Sequence, residues 1–236
     1  MIDDLGIVVA AGGSSGRYGK SNKLFEPLAG QPVFIHCIKN FLEKCPAENI
    51  LLAVPEHEMA AFAERLSTFL PEANIKLIAG GETRMRSVMN GLAALPSNVK
   101  IAAVHDAARP LASSALLKKC YETARKQGGA VAAKPVSDTI KTVDADGLIT
   151  GTVERSMLWA METPQVFPRK ALEDACKKAL KDGKDFTDDA GVMEYSGNPA
   201  FIVNNPEANI KITYSNDLLR AESHMQKSIH VDLDCK

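Results

Sequence analysis

The sequence has no uninterrupted apolar run of membrane-spanning length and no basic segment leading into an apolar core near its start. Internal repeats and low-complexity stretches are absent too. Neither sign of charge dominates: Lys and Arg number 28, Asp and Glu 29, for a formal net charge of −1. Nothing in that balance points to a nucleic-acid binder. The five cysteines, Cys37, Cys45, Cys120, Cys176 and Cys235, form no C-x-x-C pair and are odd in number. They read as reduced thiols rather than a disulfide framework. The histidines His36, His57, His105, His224 and His230 are dispersed, without zinc-site spacing. A cytoplasmic protein independent of membranes is expected, and 236 residues suffice for one large α/β core.

Two common phosphate loops are also missing. Gly19-Lys20-Ser21 supplies the end of a G-x-x-x-x-G-K-[ST] loop, but Ser14 stands where its first glycine belongs. Pro27, Gly30 and Pro32 then interrupt the helix that such a loop should launch. The dinucleotide fingerprint G-x-G-x-x-G fails because neither Gly12 nor Gly13 has a glycine two residues on. What is present is a short apolar strand, Leu5–Val9, opening into small residues at Ala10–Gly13 and then Arg17, Lys20 and Lys23. Glycines let backbone approach a ligand closely, and the cations suit phosphate.

Strand-like and helix-like segments alternate from there. Strands are expected at Ile50–Val54, Ile75–Ala79, Lys100–Val104 and Ala130–Pro135, with helices at Pro32–Cys45, Glu56–Leu70, Thr83–Leu95 and Ser113–Lys126. Such βα units predict an α/β fold of the Rossmann-like, doubly wound type, its sheet mostly parallel. Ligands of such sheets sit at strand carboxyl ends, where the unusual clusters of this chain fall. Two β-prone runs around Asp146-Gly147 predict a hairpin arm at about 138–156 protruding from a single domain. Helices at Pro168–Lys181 and after Asp188, strands at Phe201–Val203 and Ile210–Thr213, and a helix from Asn216 complete the expectation.

Six ordered clusters carry a resemblance across nearly the whole chain. They are Ala10-Ala11-Gly12 with Arg17 and Lys23; Gly80-Gly81-Glu82-Thr83-Arg84-Met85-Arg86-Ser87-Val88 with Gly91-Leu92; and His105-Asp106-Ala107-Ala108-Arg109-Pro110. Pro135-Val136-Ser137-Asp138-Thr139-Ile140-Lys141 follows, then Thr163-Pro164-Gln165 with Thr187-Asp188-Asp189, and Asn209-Ile210-Lys211-Ile212-Thr213. The set resembles the 2-C-methyl-D-erythritol 4-phosphate cytidylyltransferase family, among the sugar-phosphate nucleotidyltransferases. Two departures stand out: Gly12 and Arg17 lie one residue further apart than in that pattern, and Asn22 occupies the place of a proline.

The resemblance implies transfer of CMP from CTP to a polyol phosphate, with Mg²⁺ as cofactor. It assigns Arg17, Lys23 and Lys211 as catalytic cations, and Ala10, Ala11, Gly12, Gly13, Gly81, Glu82, Arg84 and Ser87 to CTP. It gives Asp106, Arg109, Thr139, Arg155, Thr163 and Thr187 to the acceptor, with Asp106 beside the metal. Thr139 and Arg155 would reach the neighbouring subunit's site, making a homodimer with a shared active site. His105 is read as structural, because an ionised phosphate nucleophile needs no general base. Three alternatives stay open: the same transfer onto ribitol 5-phosphate, a CTP-binding regulator without turnover, and an NAD-dependent oxidoreductase, the last disfavoured by the missing dinucleotide fingerprint.

Overall fold

A computed structural model describes residues 1–12, 18 and 22–233, with side chains as far as residue 226. Gly13, Arg17, Lys20 and Cys235 lie outside the described residues. Strand β1 (Leu5–Ala10) leads, through a minor pair β2 (Pro27–Leu28) and β3 (Gln31–Pro32), to helix α1 (Val33–Leu42). There follow β4 (Ile50–Val54), α2 (Met59–Phe69), β5 (Lys76–Ala79), α3 (Arg84–Ala94), β6 (Ile101–Asp106), α4 (Ser114–Gln127) and β7 (Ala130–Pro135). The hairpin β8 (Ile140–Val143) and β9 (Ile149–Val153) precedes β10 (Trp159–Pro168), α5 (Arg169–Lys181), α6 (Asp189–Tyr195), β11 (Phe201–Asn204) and α7 (Ser215–Leu233).

Seven of these strands form one sheet in the order β11-β7-β10-β6-β1-β4-β5. All neighbours are parallel except β10, which runs antiparallel between β6 and β7. Strands β1 and β4 are apolar throughout because successive side chains enter two different cores. Leu5, Ile7 and Val9 of β1 face a layer with α1, α2 and α4, while Val8 faces α3 and α5. The chain turns left from β1 to β4 and right to β6, so a crevice opens where their carboxyl ends diverge. Register sets Ala10 beside Asp106 at that point.

Cys37, Cys45, Cys120 and Cys176 are buried free thiols, and burial pushes each up to about 12, so they stay protonated.

Two segments differ from expectation. Trp159–Pro168 is a long strand that the sequence hides, since Pro164 and Glu162 break its apolar pattern. The ladder shifts register between Met161 and Gln165, which is how a central strand accommodates the proline. Ile210–Thr213 is not a strand. It crosses the β6 loop irregularly, Ile212 donating its N–H to the Ala108 carbonyl at 2.8 Å with its side chain fully buried.

Helix α3 lies so close to β1 that a Cβ at Gly91 would fall 2.4 Å from Val8 Cγ1 and 2.7 Å from Cγ2. Alanine would gain about 1 kcal/mol of helix propensity, but Val8 is branched and buried, and overpacking costs about 1–3 kcal/mol. Gly91→Ala is therefore expected to lower stability by up to about 2 kcal/mol, read as a lower urea midpoint at unchanged slope.

Candidate functional site

A cleft of about 150 Å³ occupies the crevice. Its walls are the end of β1 with Ala11 and Gly12, the segment Lys23-Leu24, the Gly81–Arg84 turn with Ser87, the end of β6 at Asp106 and Ala108, and Lys211. Each wall comes from one of the motif clusters. Thr83 caps α3 by accepting from the Arg86 N–H, and the first residues of that helix border the cleft. A helix N-terminus there favours an anion.

Asp106 organises the charges. Its Oδ1 takes Arg84 Nε at 3.2 Å, its Oδ2 takes Lys211 Nζ at 2.7 Å, and Arg109 Nε lies 3.9 Å from Oδ2. Burial alone would raise its pKa, but Arg84, Lys211 and Arg109 hold it well below the usual carboxylate range. Arg84 also donates to buried Asp189 at 2.8 Å. Burial opposes the charge on Arg84, yet the two carboxylates more than offset it and raise its pKa. For Asp189 burial dominates and pushes its pKa up against the pull of Arg84.

Behind this front row runs a polar network that the sequence did not disclose. Gln165 Oε1 accepts from the Asp189 and Ala190 N–H groups, and its Nε2 donates to Asp188 Oδ2. The Thr-Pro-Gln and Thr-Asp-Asp clusters thereby clamp one another and aim Asp189 at Arg84. Buried Glu162 accepts from Asn205 and Asn209 and lies 3.5 Å from Lys134. Asn209 donates also to the Thr163 carbonyl, and its own carbonyl receives Arg109 at 2.8 Å, fixing the segment that carries Lys211.

Most residues assigned to CTP line the cleft: Ala10, Ala11, Gly12, Gly81, Glu82, Arg84 and Ser87. The Ser87 hydroxyl is already engaged, accepting from Gly81 N–H at 2.9 Å and donating to the Thr83 carbonyl at 3.0 Å. Lys23, Lys211 and Asp106 line the cleft as well. Thr163 does not; it is buried behind Asp106, whose N–H it accepts at 3.1 Å. Thr139 and Arg155 are exposed on the arm, Arg155 donating to the Ser137 carbonyl, and neither borders this chain's cleft. Thr187 is exposed just ahead of α6 and likewise outside the lining.

His105 is fully buried, with Nε2 3.1 Å from the Arg109 carbonyl and Nδ1 2.9 Å from Thr163 Oγ1. A carbonyl only accepts, so Nε2 carries the proton and Nδ1 accepts from the threonine hydroxyl. Burial lowers its pKa to about 4.

Fold and cleft together define a doubly wound α/β enzyme built for a phosphorylated ligand. The chain belongs to the 2-C-methyl-D-erythritol 4-phosphate cytidylyltransferase family, whose model matches residues 5–227. It is 36% identical to the 2-C-methyl-D-erythritol 4-phosphate cytidylyltransferase of Syntrophus aciditrophicus, over 93% of this chain and 95% of that one. With the Synechocystis protein of the same name it shares 38% identity over 92% and 94%. Among solved structures, the Thermus thermophilus 2-C-methyl-D-erythritol 4-phosphate cytidylyltransferase matches with a TM-score of 0.77 at 26% identity, over 93% of this chain and 98% of that one.

Burial of His105 in its neutral form bears on acid stability. The folded pKa lies below the unfolded value near 6.5, so the unfolded chain binds the proton first. The His105 contribution is present above about 6.5 and is lost as pH falls towards 4. His105→Gln keeps one donor and one acceptor but cannot titrate. Its stability, measured by urea unfolding, should fall less steeply than wild type between pH 6.5 and 4.

Proposed function

We propose that this protein transfers the cytidylyl group of CTP to 2-C-methyl-D-erythritol 4-phosphate, giving 4-diphosphocytidyl-2-C-methyl-D-erythritol and pyrophosphate, a step of non-mevalonate isoprenoid synthesis. The observation that carries the reading is the set of Lys23, Arg84 and Lys211 converging on the β1–β6 crevice of a chain of this family. Ribitol 5-phosphate as acceptor is not favoured, since the family match runs through residues 5–227.

In the reaction a phosphate oxygen of the polyol attacks the α-phosphorus of CTP and the bond to the β-phosphate oxygen breaks. Two anions must meet, so charge neutralisation and alignment account for most of the barrier. Lys23 and Lys211 border the cleft and would flank the α-phosphate, joined by Arg17 from outside the described residues. Asp106 keeps Lys211 extended towards the cleft through their 2.7 Å contact. No base is required of the chain, and His105, buried and occupied at both nitrogens, offers none.

Among the described residues no three carboxylate, histidine or cysteine side chains gather as a metal cage. Asp106, ionised at neutral pH, and Glu82 are the carboxylates lining the cleft. That donor set fits Mg²⁺, which needs few protein ligands when phosphates and waters supply the rest. The ion would neutralise the triphosphate and so ease pyrophosphate departure, with Asp106 nearest to it.

The arm is the reason to propose a homodimer. Among the described residues its two strands pair only with each other, and Val143, Leu148, Ile149 and Met157 are exposed along and beside it. A two-stranded ribbon with apolar side chains in water wants a partner surface. Thr139 and Arg155, at its base, would then enter the partner's site and bind the acceptor phosphate, with Thr187 and Arg109 on the acceptor side of their own chain.

Pyrophosphate release from CTP and Mg²⁺ should depend on methylerythritol phosphate and not occur with ribitol 5-phosphate; the converse pattern overturns the acceptor assignment. Lys23→Ala and Lys211→Ala should each lose about 10²–10³ in kcat with the fold intact by circular dichroism. Mixing Arg155→Ala with Lys23→Ala protein should restore activity once heterodimers form, because one of their two sites is whole. Inactive heterodimers would defeat the shared site.

A further inference from the structure

Lys23 follows directly on a residue whose side chain makes two specific contacts. Asn22 Oδ1 accepts the Leu24 N–H at 3.0 Å, an Asx turn spanning Lys23. Its Nδ2 donates to Glu58 Oε2 at 2.8 Å, a contact 36 residues away in sequence. The backbone closes the same turn, Phe25 N–H to the Asn22 carbonyl at 2.9 Å.

Both ends of the clamp are fixed. Glu58 is the residue that opens α2, so its carboxylate is placed by that helix. On the far side, Leu24 is buried and Phe25 packs edge-on to Phe62, ring centroids 4.7 Å apart, beneath the Arg65 guanidinium at 4.0 Å. Lys23 thus leaves a turn pinned before and after it, and it lines the cleft.

Only an amide satisfies both contacts as they stand. Rotating the carboxamide would set its oxygen against Glu58 and its NH₂ against the Leu24 N–H. Aspartate would keep the acceptor but face Glu58 with like charge. A Glu58→Gln change alongside it would supply the missing donor again, with the polarity of that bond reversed.

We infer that Asn22 and Glu58 form a positioning pair that sets Lys23 for the reaction. The inference rests on the proposed role of Lys23. Asn22 touches no reacting atom; it acts by holding the turn, and displacements of about 1 Å at such a cation can cost up to 10²-fold in rate.

The test compares wild type, Asn22→Asp, Asn22→Asp/Glu58→Gln, Asn22→Ala and Lys23→Ala. It measures pyrophosphate release with CTP, Mg²⁺ and methylerythritol phosphate, the melting temperature, and amide hydrogen exchange in the peptide carrying Leu24. Asn22→Asp should lower kcat by about tenfold or more with KM for CTP little changed and the melting temperature within about 4 °C of wild type. The double variant should regain most of the lost kcat. Exchange should quicken in Asn22→Ala whether or not turnover is observed.

Full turnover by Asn22→Asp beside an inactive Lys23→Ala overturns the positioning role alone, as does a double variant no better than Asn22→Asp. Full turnover by Lys23→Ala removes the catalytic role of Lys23 and the inference with it. Unchanged exchange in Asn22→Ala overturns the clamp itself, independently of any activity.

Discussion

One buried carboxylate governs the charge of the cleft. Asp106 is nine-tenths or more enclosed and could not remain ionised there without partners. Arg84, Lys211 and Arg109 supply them, from α3, from the segment after β11 and from its own loop. The dependence runs both ways, since three cations this close would repel one another without the carboxylate between them. With Asp189 and the cleft-lining Glu82 counted, three negative charges face three positive ones, and Lys23 tips the balance to a positive surplus. The surplus lies on the wall of a concave, partly dry site, where it attracts a phosphate more strongly than it would on open surface.

The sheet converts that local balance into fixed geometry. Ala10 and Asp106 are register partners in adjacent parallel strands, so the glycine turn and the central carboxylate cannot drift apart without breaking the ladder. The cations, by contrast, ride on long side chains from helices and loops, each tied down by its own hydrogen bonds. Arg109 is held through the Asn209 carbonyl, Arg84 through Asp189 and Gln165. Strands fix the floor of the cleft, and hydrogen-bonded loops aim the charges at it.

How much of this could be read beforehand follows from the same division. Strands buried on both faces are unbroken apolar runs, so β1, β4 and β7 were legible to within a residue. The cleft residues near β1, α3 and β6 were legible because each sits next to a strand or helix end that the pattern locates. Trp159–Pro168 was not, because its prolines and glutamate mask a strand whose ladder skips a step. Nor were Asp189 behind Arg84, or Glu162 among the asparagines, because those partners lie far apart in sequence and meet only when the sheet closes. Thr163 misled for the opposite reason: its motif was recognised, but its hydroxyl supports His105 and Asp106 from behind instead of facing the cleft.

The antiparallel strand β10 also imposes an order of events on the nascent chain. It separates β6 from β7, so these two strands, although made earlier, have no edge to share until residues 159–168 emerge. What fixes Asp106 from its far side comes with that strand or after it: Gln165, then Asp189, Asn209 and finally Lys211. At about 5–20 residues per second, roughly 10–40 s pass between synthesis of Lys23 and of Lys211. Within that interval, between completion of β6 and the arrival of β10, the first half of the sheet can assemble around β1, β4 and β5 with an unpaired β6 edge and an anion site that has no closing wall. A growing chain of this design is therefore exposed to mispairing at β6 from residue 106 until β10 begins at residue 159, and the site itself is completed only later, when Lys211 is made.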